Sequence, residues 1–394
     1  MEPRVELSAP VLNKIMKIAN TTTRDRGYTR SYYSYPAKFL AHLPRALIEM
    51  FTQEDDLIYD AYCGGGTTGL EAYLLNRRFV GYDVNPFAIF ISRVKTTKIE
   101  RNALESSLAR VCQLTVGKKV RSDIVILDDE ERQLLGRRVS DEIVGLASRI
   151  LDLEEKLRDF FLLALIHSIK IVGRRDFRGL LEKHAKANAQ TTLVSFQGSS
   201  KTEYAEPSFL PLFKHKAIKM IQEMESLPCA RHKPEFFLAS NHRTNLGSSC
   251  VDLLITSPPY KDVDVEYMQL QIQRPAMHRS KRFNIIARLL GVPQVDKETL
   301  CGFRDTKYWE NLRPSLLECS RVLKADRPAF FWTGFKDPSD KHTFEEVLGW
   351  AGFEVVRTLS VVLGKDRAAS SRSLHHGRDT GMLERDFLFI SRKG

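Results

Sequence analysis

The stretch "DLIYDAYCGGGTTGLEAYLLNRRFVGYDVNPFAIFISRVK" at residues 56–95 constrains the fold more than any other part of the chain. It reads as a strand over Leu57–Ala61, a glycine-rich turn, a helix over Thr67–Asn76, a strand over Phe79–Asp83 and a helix over Pro86–Lys95. A helix between two short apolar strands makes them parallel neighbours, because a crossover of that length returns the chain to the same end of the sheet. The chain is therefore expected to be α/β, with a doubly wound sheet and helices on both faces.

The same rhythm resumes late in the sequence. Strands are expected at Glu235–Ser240, Val251–Thr256, Pro328–Trp332, Phe353–Ser360 and Glu384–Ser391, with a helix near Tyr308–Leu323. Residues 100–234 break it. They hold a long helical pattern, "SDEIVGLASRILDLEEKLRDFFLLALIHSIKIV", then a polar stretch, then "FKHKAIKMIQEMESL", a basic amphipathic helix. The expected organisation is an N-terminal arm (1–30), a first part of the α/β domain (31–99), a mainly helical insert (100–234) and a second part of the domain (235–394).

Several classes are excluded. The N-terminus lacks a basic segment followed by an apolar one, so no secretory signal is expected. The longest apolar run, "FFLLALI" at Phe160–Ile166, is too short to cross a bilayer and reads as a buried helix. The six cysteines are scattered without C-x-x-C or zinc-ligand spacing, which points to a reducing cytoplasmic setting and no structural metal. A net charge of +11 with pI near 9.3 suits a polyanionic partner.

Glycines between a strand and a helix let backbone N–H groups approach a ligand. A phosphate-cradling loop needs Gly-Lys-Ser/Thr, but Gly66 is followed by Thr67 and Thr68. The spacing also departs from the G-x-G-x-x-G of dinucleotide sites. A nucleoside without phosphates needs neither feature, and S-adenosylmethionine is such a ligand. Asp83 ends the second strand, where an acid can hold both ribose hydroxyls.

The second constraint is "SPPY" at Ser257–Tyr260, directly after a buried strand. An exocyclic amino group of cytosine or adenine is a poor nucleophile, since its lone pair is delocalised into the ring. Acceptors at Ser257 Oγ and the Pro258 carbonyl can hold its hydrogens and free that pair. Pro258 and Pro259 fix the backbone that presents them. Tyr260 offers a face on which an extruded base can stack.

Together these segments resemble the amino-methyltransferases of DNA, and among them the cytosine-N4 group of the restriction–modification type. "DAYCGGGTT" is similar to that family's cofactor motif, "GYDVNP" to its ribose motif, "TSPPY" to its catalytic motif and "YPAKF" to the segment that closes over the methionine end of the cofactor. The resemblance implies a mixed seven-stranded sheet and S-adenosylmethionine bound by Tyr35, Pro36, Lys38, Asp60, Ala61, Cys63, Gly64, Gly66, Thr67, Asp83 and Asn85. It implies catalysis by Ser257, Pro258, Pro259 and Tyr260 on a flipped cytosine of double-stranded DNA, no metal, and a cognate restriction endonuclease as a partner. Ala61 and Gly65 depart from the family's usual Pro and Ser, and "LASN" (Leu238–Asn241) stands where an acid is frequent. Adenine-N6 methylation, RNA-base methylation and a non-catalytic DNA-binding subunit are the alternatives.

For DNA contact the candidates are the basic stretch at Ile272–Leu290, with Arg274, His278, Arg279, Lys281, Arg282 and Arg288, two insert segments ("GRRDFRGLLEKHAK" and "FKHKAIK"), and the loop Gly364–Asp379.

Overall fold

Three strand segments, Leu57–Asp60, Leu253–Thr256 and Pro328–Gly334, are buried along their whole length. That explains their near-continuous apolar sequences: a strand covered on both faces has no polar side to alternate with. The computed structural model describes residues 7–21, 27–33, 35, 40–113, 126–174, 208–261, 270–274, 279–292, 307–335, 337–361 and 386–393. In chain order the strands are β1 (Leu57–Asp60), β2 (Arg78–Asp83), β3 (Glu235–Leu238), β4 (Leu253–Thr256), β5 (Leu270–Arg274), β6 (Arg279–Phe283), β7 (Pro328–Gly334), β8 (Phe353–Val361) and β9 (Asp386–Lys393).

The chain divides into two compact units. One comprises Met1–Thr97, Pro228–Tyr267 and Val295–Gly394; the other comprises Lys98–Leu227 and Met268–Gln294. The segment 268–294 thus groups with the insert rather than with the sheet that flanks it in sequence.

The first unit holds a seven-stranded sheet in the order β3-β2-β1-β4-β7-β9-β8. All pairings are parallel except those of β9, which runs antiparallel to β7 and β8. This is the doubly wound mixed sheet expected of a methyltransferase fold. Successive residues feed opposite faces. Ile58, Ile255, Phe330 and Trp332 pack with Leu47 and Ile48 of helix His42–Phe51, while Tyr59, Leu254 and Phe331 pack with Leu312, Leu316 and Phe344 of the helices Lys307–Val322 and Ser339–Trp350. From β1 the chain moves outward to β2 and β3, then returns to place β4 on the other side of β1. The order therefore reverses between β1 and β4, where ligands of such sheets bind beyond the carboxyl ends.

The second unit is mainly helical: Arg101–Cys112, Asp129–Leu135, Arg137–Leu151, Glu155–Arg174, Leu210–Glu225 and Ile285–Leu290. The long helical pattern is two helices, broken at residues 152–154. Phe160–Ile166 is buried throughout, as its composition requires. β5 and β6 pair antiparallel, with Arg274 opposite Arg279 and Ile272 opposite Lys281.

Candidate active site

The glycine turn is built from backbone conformations that a side chain resists. Gly64 has φ +48° and Gly66 has φ +70°, both in the left-handed region. A Cβ on Gly66 would stand 2.5 Å from Ser92 Oγ and 2.9 Å from the Ser92 Cα. The turn's carbonyls face the helix Pro86–Thr96. Ser92 Oγ shares its one proton between the Gly64 carbonyl at 2.9 Å and the Ala88 carbonyl of its own helix at 2.8 Å, and the buried Lys95 ammonium donates to the Gly65 carbonyl at 2.7 Å. Neither residue was legible as part of the site, because a serine and a lysine on a helix ordinarily read as solvent-facing.

Asp83 closes the turn from β2. Its Oδ2 accepts from the Gly64 N–H at 2.9 Å and its Oδ1 from the Asn85 N–H at 2.8 Å. The carboxylate is thereby oriented while each oxygen keeps a further lone pair. Burial pushes it up to about 6, against the pull of those two N–H groups. Asn85 caps the next helix through the Phe87 N–H and donates its amide to Tyr35 Oη at 2.9 Å. The Tyr35 ring lies over the turn, since a Cβ built on Gly64 would meet its Cε1 at 3.3 Å. The segment before Tyr35 is clamped below. Arg30 makes a two-pronged ion pair with Glu71, both bonds at 2.6 Å and both side chains buried, and Thr29 Oγ1 donates to the Lys95 carbonyl at 2.7 Å. Pro36 and Lys38 lie outside the described residues.

Asp60 plays a different part from Asp83. It is 2% exposed, and its Oδ1 accepts from Thr256 Oγ1 at 2.7 Å and from the Tyr62 N–H at 3.2 Å. Burial pushes it up to about 7, with the nearby Asp83 adding to the rise. The bond to Thr256 ties the end of β1 to the residue immediately before Ser257. Ala61 is buried and its carbonyl accepts from Asn241, which fixes the "LASN" segment to the turn. Cys63 is buried beside Gly81, and burial raises its thiol well above the ordinary range, which favours the protonated thiol over the thiolate. Thr67 begins the helix behind the turn.

At the carboxyl end of β4, the tetrapeptide is held at Ser257, Pro259 and Tyr260. Ser257 Oγ donates to the Trp332 carbonyl on β7 at 2.9 Å. Tyr308 Oη donates to the Pro259 carbonyl at 2.9 Å. Lys261, just beyond, pairs with the buried Asp340 at 2.7 Å. Among the described residues no donor reaches the Pro258 carbonyl. The serine proton is committed to Trp332, so what Ser257 presents outward is lone pairs. Two neighbouring acceptors, a serine oxygen and a proline carbonyl, thus stand beside the glycine turn.

The basic candidates divide. Lys216 of "FKHKAIK" is 6% exposed, and burial lowers its ammonium to about 8, so it points inward rather than toward a phosphate. Arg288 pairs with Asp128 and Glu131, whose carboxylates also form the capping box of helix Asp129–Leu135. These surroundings, which come from residues far away in sequence, direct Lys216 and Arg288 away from a phosphate, while Lys219 of the same segment is exposed. Arg274 ends β5, and Arg279, Lys281 and Arg282 lie on β6. His278, the loop Gly364–Asp379 and nearly all of "GRRDFRGLLEKHAK" lie outside the described residues. Among the described residues no group of His, Cys, Asp and Glu is arranged to hold a metal, and no helix is long and apolar enough to cross a membrane.

The family model described as DNA methylase, of the N6/N4 class, matches residues 11–93, the segment that carries the glycine turn and Asp83. The chain is similar to curated type II methyltransferases. It is 31% identical to M.MvaI of Kocuria varians over 100 residues, which are 25% of this chain and 22% of that relative. It is 29% identical to M.BglI of Bacillus subtilis over 131 residues, 31% of this chain and 38% of the relative. It is 34% identical to M.HindIII of Haemophilus influenzae over 90 residues, 23% of this chain and 26% of the relative. The matched part of the chain thus spans well under half the length of each.

Proposed function

We propose that the chain is an S-adenosylmethionine-dependent DNA methyltransferase that methylates the exocyclic N4 of a flipped cytosine. The observation that carries this reading is the pair of acceptors at Ser257 Oγ and the Pro258 carbonyl, set beside the glycine turn where the strand order reverses. The chemistry of the turn fits the cofactor. The turn lacks the lysine of a phosphate-cradling loop, its Gly64 N–H is taken by the Asp83 carboxylate, and the buried Lys95 ammonium is spent on the Gly65 carbonyl, so it offers a polyphosphate no cradle. Asp83 would hold the ribose hydroxyls, and Tyr35 and Gly64 would line the bound molecule. When bound, S-adenosylmethionine supplies an electrophilic methyl group whose transfer leaves a neutral thioether.

The chain's own residues prepare the nucleophile. Ser257 and Pro258 accept hydrogen bonds from the two amino hydrogens, which draws the nitrogen lone pair out of conjugation and aims it at the turn; once methylated, the nitrogen releases one of those hydrogens as a proton to solvent. The bond from Asp60 to Thr256 keeps the cofactor turn and the acceptor pair in register. Tyr260 stacks on the extruded base and keeps water from its place. Ser257 in place of the Asp common among adenine-N6 enzymes, within a "TSPPY" that resembles the cytosine-N4 group, favours N4 as the target. A type II relative's setting suggests a cognate endonuclease as partner.

The cofactor step is testable by pH. Ribose hydroxyls need the Asp83 carboxylate as acceptor, and its pKa of about 6 lies above the ordinary range. Cofactor affinity, followed by calorimetry, should therefore fall as pH drops through about 6, below any step that the Asp60 carboxyl contributes near 7. A flat profile between pH 5 and pH 8 would remove Asp83 from ribose binding.

The DNA step is testable by salt. Neutralising Arg279, Lys281 and Arg282 together should weaken binding to all sequences. It should also make the log–log salt slope shallower by about 0.9 for each phosphate no longer neutralised. An unaltered slope would make β6 a solvated surface.

A further inference from the structure

Asp386 opens β9 opposite Gly334, and it is 6% exposed. It lies outside every motif of the sequence. A buried carboxylate requires donors, and two of them come from the indole of Trp332 and the hydroxyl of Tyr260. Trp332 Nε1 donates to Asp386 Oδ2 at 2.9 Å. Tyr260 Oη donates to the same oxygen at 3.3 Å, a long O–H···O bond with room to tighten. Trp332 is also the residue whose carbonyl accepts from Ser257. One carboxylate on β9 therefore reaches both ends of the tetrapeptide: Tyr260 directly, and Ser257 through Trp332, whose indole N–H it accepts and whose carbonyl accepts from Ser257.

Gly334 completes the arrangement. A Cβ there would stand 2.8 Å from Asp386 Oδ1 and 3.2 Å from Tyr260 Cε2. The carboxylate and the ring fill the space that any larger residue on β7 would take. The tyrosine is thus set from two sides, by a hydrogen bond at its hydroxyl and by close packing at its edge.

We propose that Asp386 is a positioning residue for methyl transfer, holding the Tyr260 ring and the Trp332 indole so that the base stacks with its amino group at Ser257 and Pro258. This rests on the functional reading above. Asp386 acts as an acceptor of hydrogen bonds and touches neither methyl nor amino group. Because the role is acceptance, the neutral amide oxygen of Asp386→Asn can stand where Oδ2 stands and receive the same donors.

The test measures turnover with tritiated S-adenosylmethionine at saturating duplex DNA, alongside cofactor affinity by calorimetry. Asp386→Ala should lower kcat by about tenfold, the scale of a lost hydrogen bond to a charged group, with cofactor affinity unchanged. Asp386→Asn should recover most of that loss. Tyr260→Phe keeps the ring and removes only the hydroxyl, so it should lower kcat as well, and Asp386→Ala should cost less in that background than in the wild type. Wild-type turnover in Asp386→Ala, or full additivity with Tyr260→Phe, would overturn the proposal. If Asp386→Ala does not fold, Tyr260→Phe at wild-type turnover overturns it on its own. A wild-type protein that binds the cofactor but never labels DNA defeats the functional reading and this inference with it, whereas labelling unaffected by these variants defeats the inference alone.

Discussion

Ser257→Ala is expected to cut turnover by about 10²-fold, the scale of losing one positioned polar group at a reacting centre. The loss follows from geometry. The hydroxyl donates to Trp332, which fixes its rotamer and leaves its lone pairs for the amino group. Alanine removes that acceptor and leaves the Pro258 carbonyl alone, so the amino nitrogen stays conjugated with the ring. Cofactor affinity should hardly change, because the turn is closed by Asp83, Ser92 and Lys95 rather than by Ser257. Single-turnover labelling of duplex DNA, paired with calorimetry, separates the two quantities. Equal losses in both would mean that Ser257 supports the sheet end instead of the reaction.

Asp83→Ala should have the second large effect, on binding. Two charge-assisted bonds to ribose hydroxyls are lost, each worth about 1.5–3 kcal/mol. The bonds to the Gly64 and Asn85 N–H groups go as well, and they shape the turn itself. Cofactor affinity is expected to fall by at least about tenfold in a protein that still unfolds cooperatively. Asp83→Asn should fall less, since its amide oxygen retains one acceptor. A folded Asp83→Ala protein with wild-type affinity would remove Asp83 from the cofactor site.

The parts of the fold that are locally encoded were legible. β1, its turn, the following helix and β2 lie within forty residues, and each carries its own signal: apolar runs, glycines, and an asparagine and proline at the start of helix Pro86–Thr96. The pairing of β1 with β4 agrees with a doubly wound sheet, which must reverse somewhere, since both strands carry site motifs at their carboxyl ends. What escaped the sequence depends on partners distant along the chain. Lys95 and Ser92 read as an ordinary helix surface until the Gly64 and Gly65 carbonyls are placed against them. Arg30 is a loop cation until Glu71 meets it. Arg288 and Lys216 look like phosphate ligands, yet one is neutralised by Asp128 and Glu131 and the other is buried. Asp386 belongs to no local pattern at all, and only the register of β7 against β9 brings it to Tyr260.

The target atom can be read directly. Duplex DNA is incubated with the purified chain and tritiated S-adenosylmethionine, digested to nucleosides and separated by chromatography. Label should run with N4-methylcytosine and should be lost in Ser257→Ala. Label in N6-methyladenine would keep the acceptor-pair mechanism and change the base, while label in 5-methylcytosine, or none in DNA under conditions where the cofactor binds, would contradict amino-group transfer at Ser257 and Pro258.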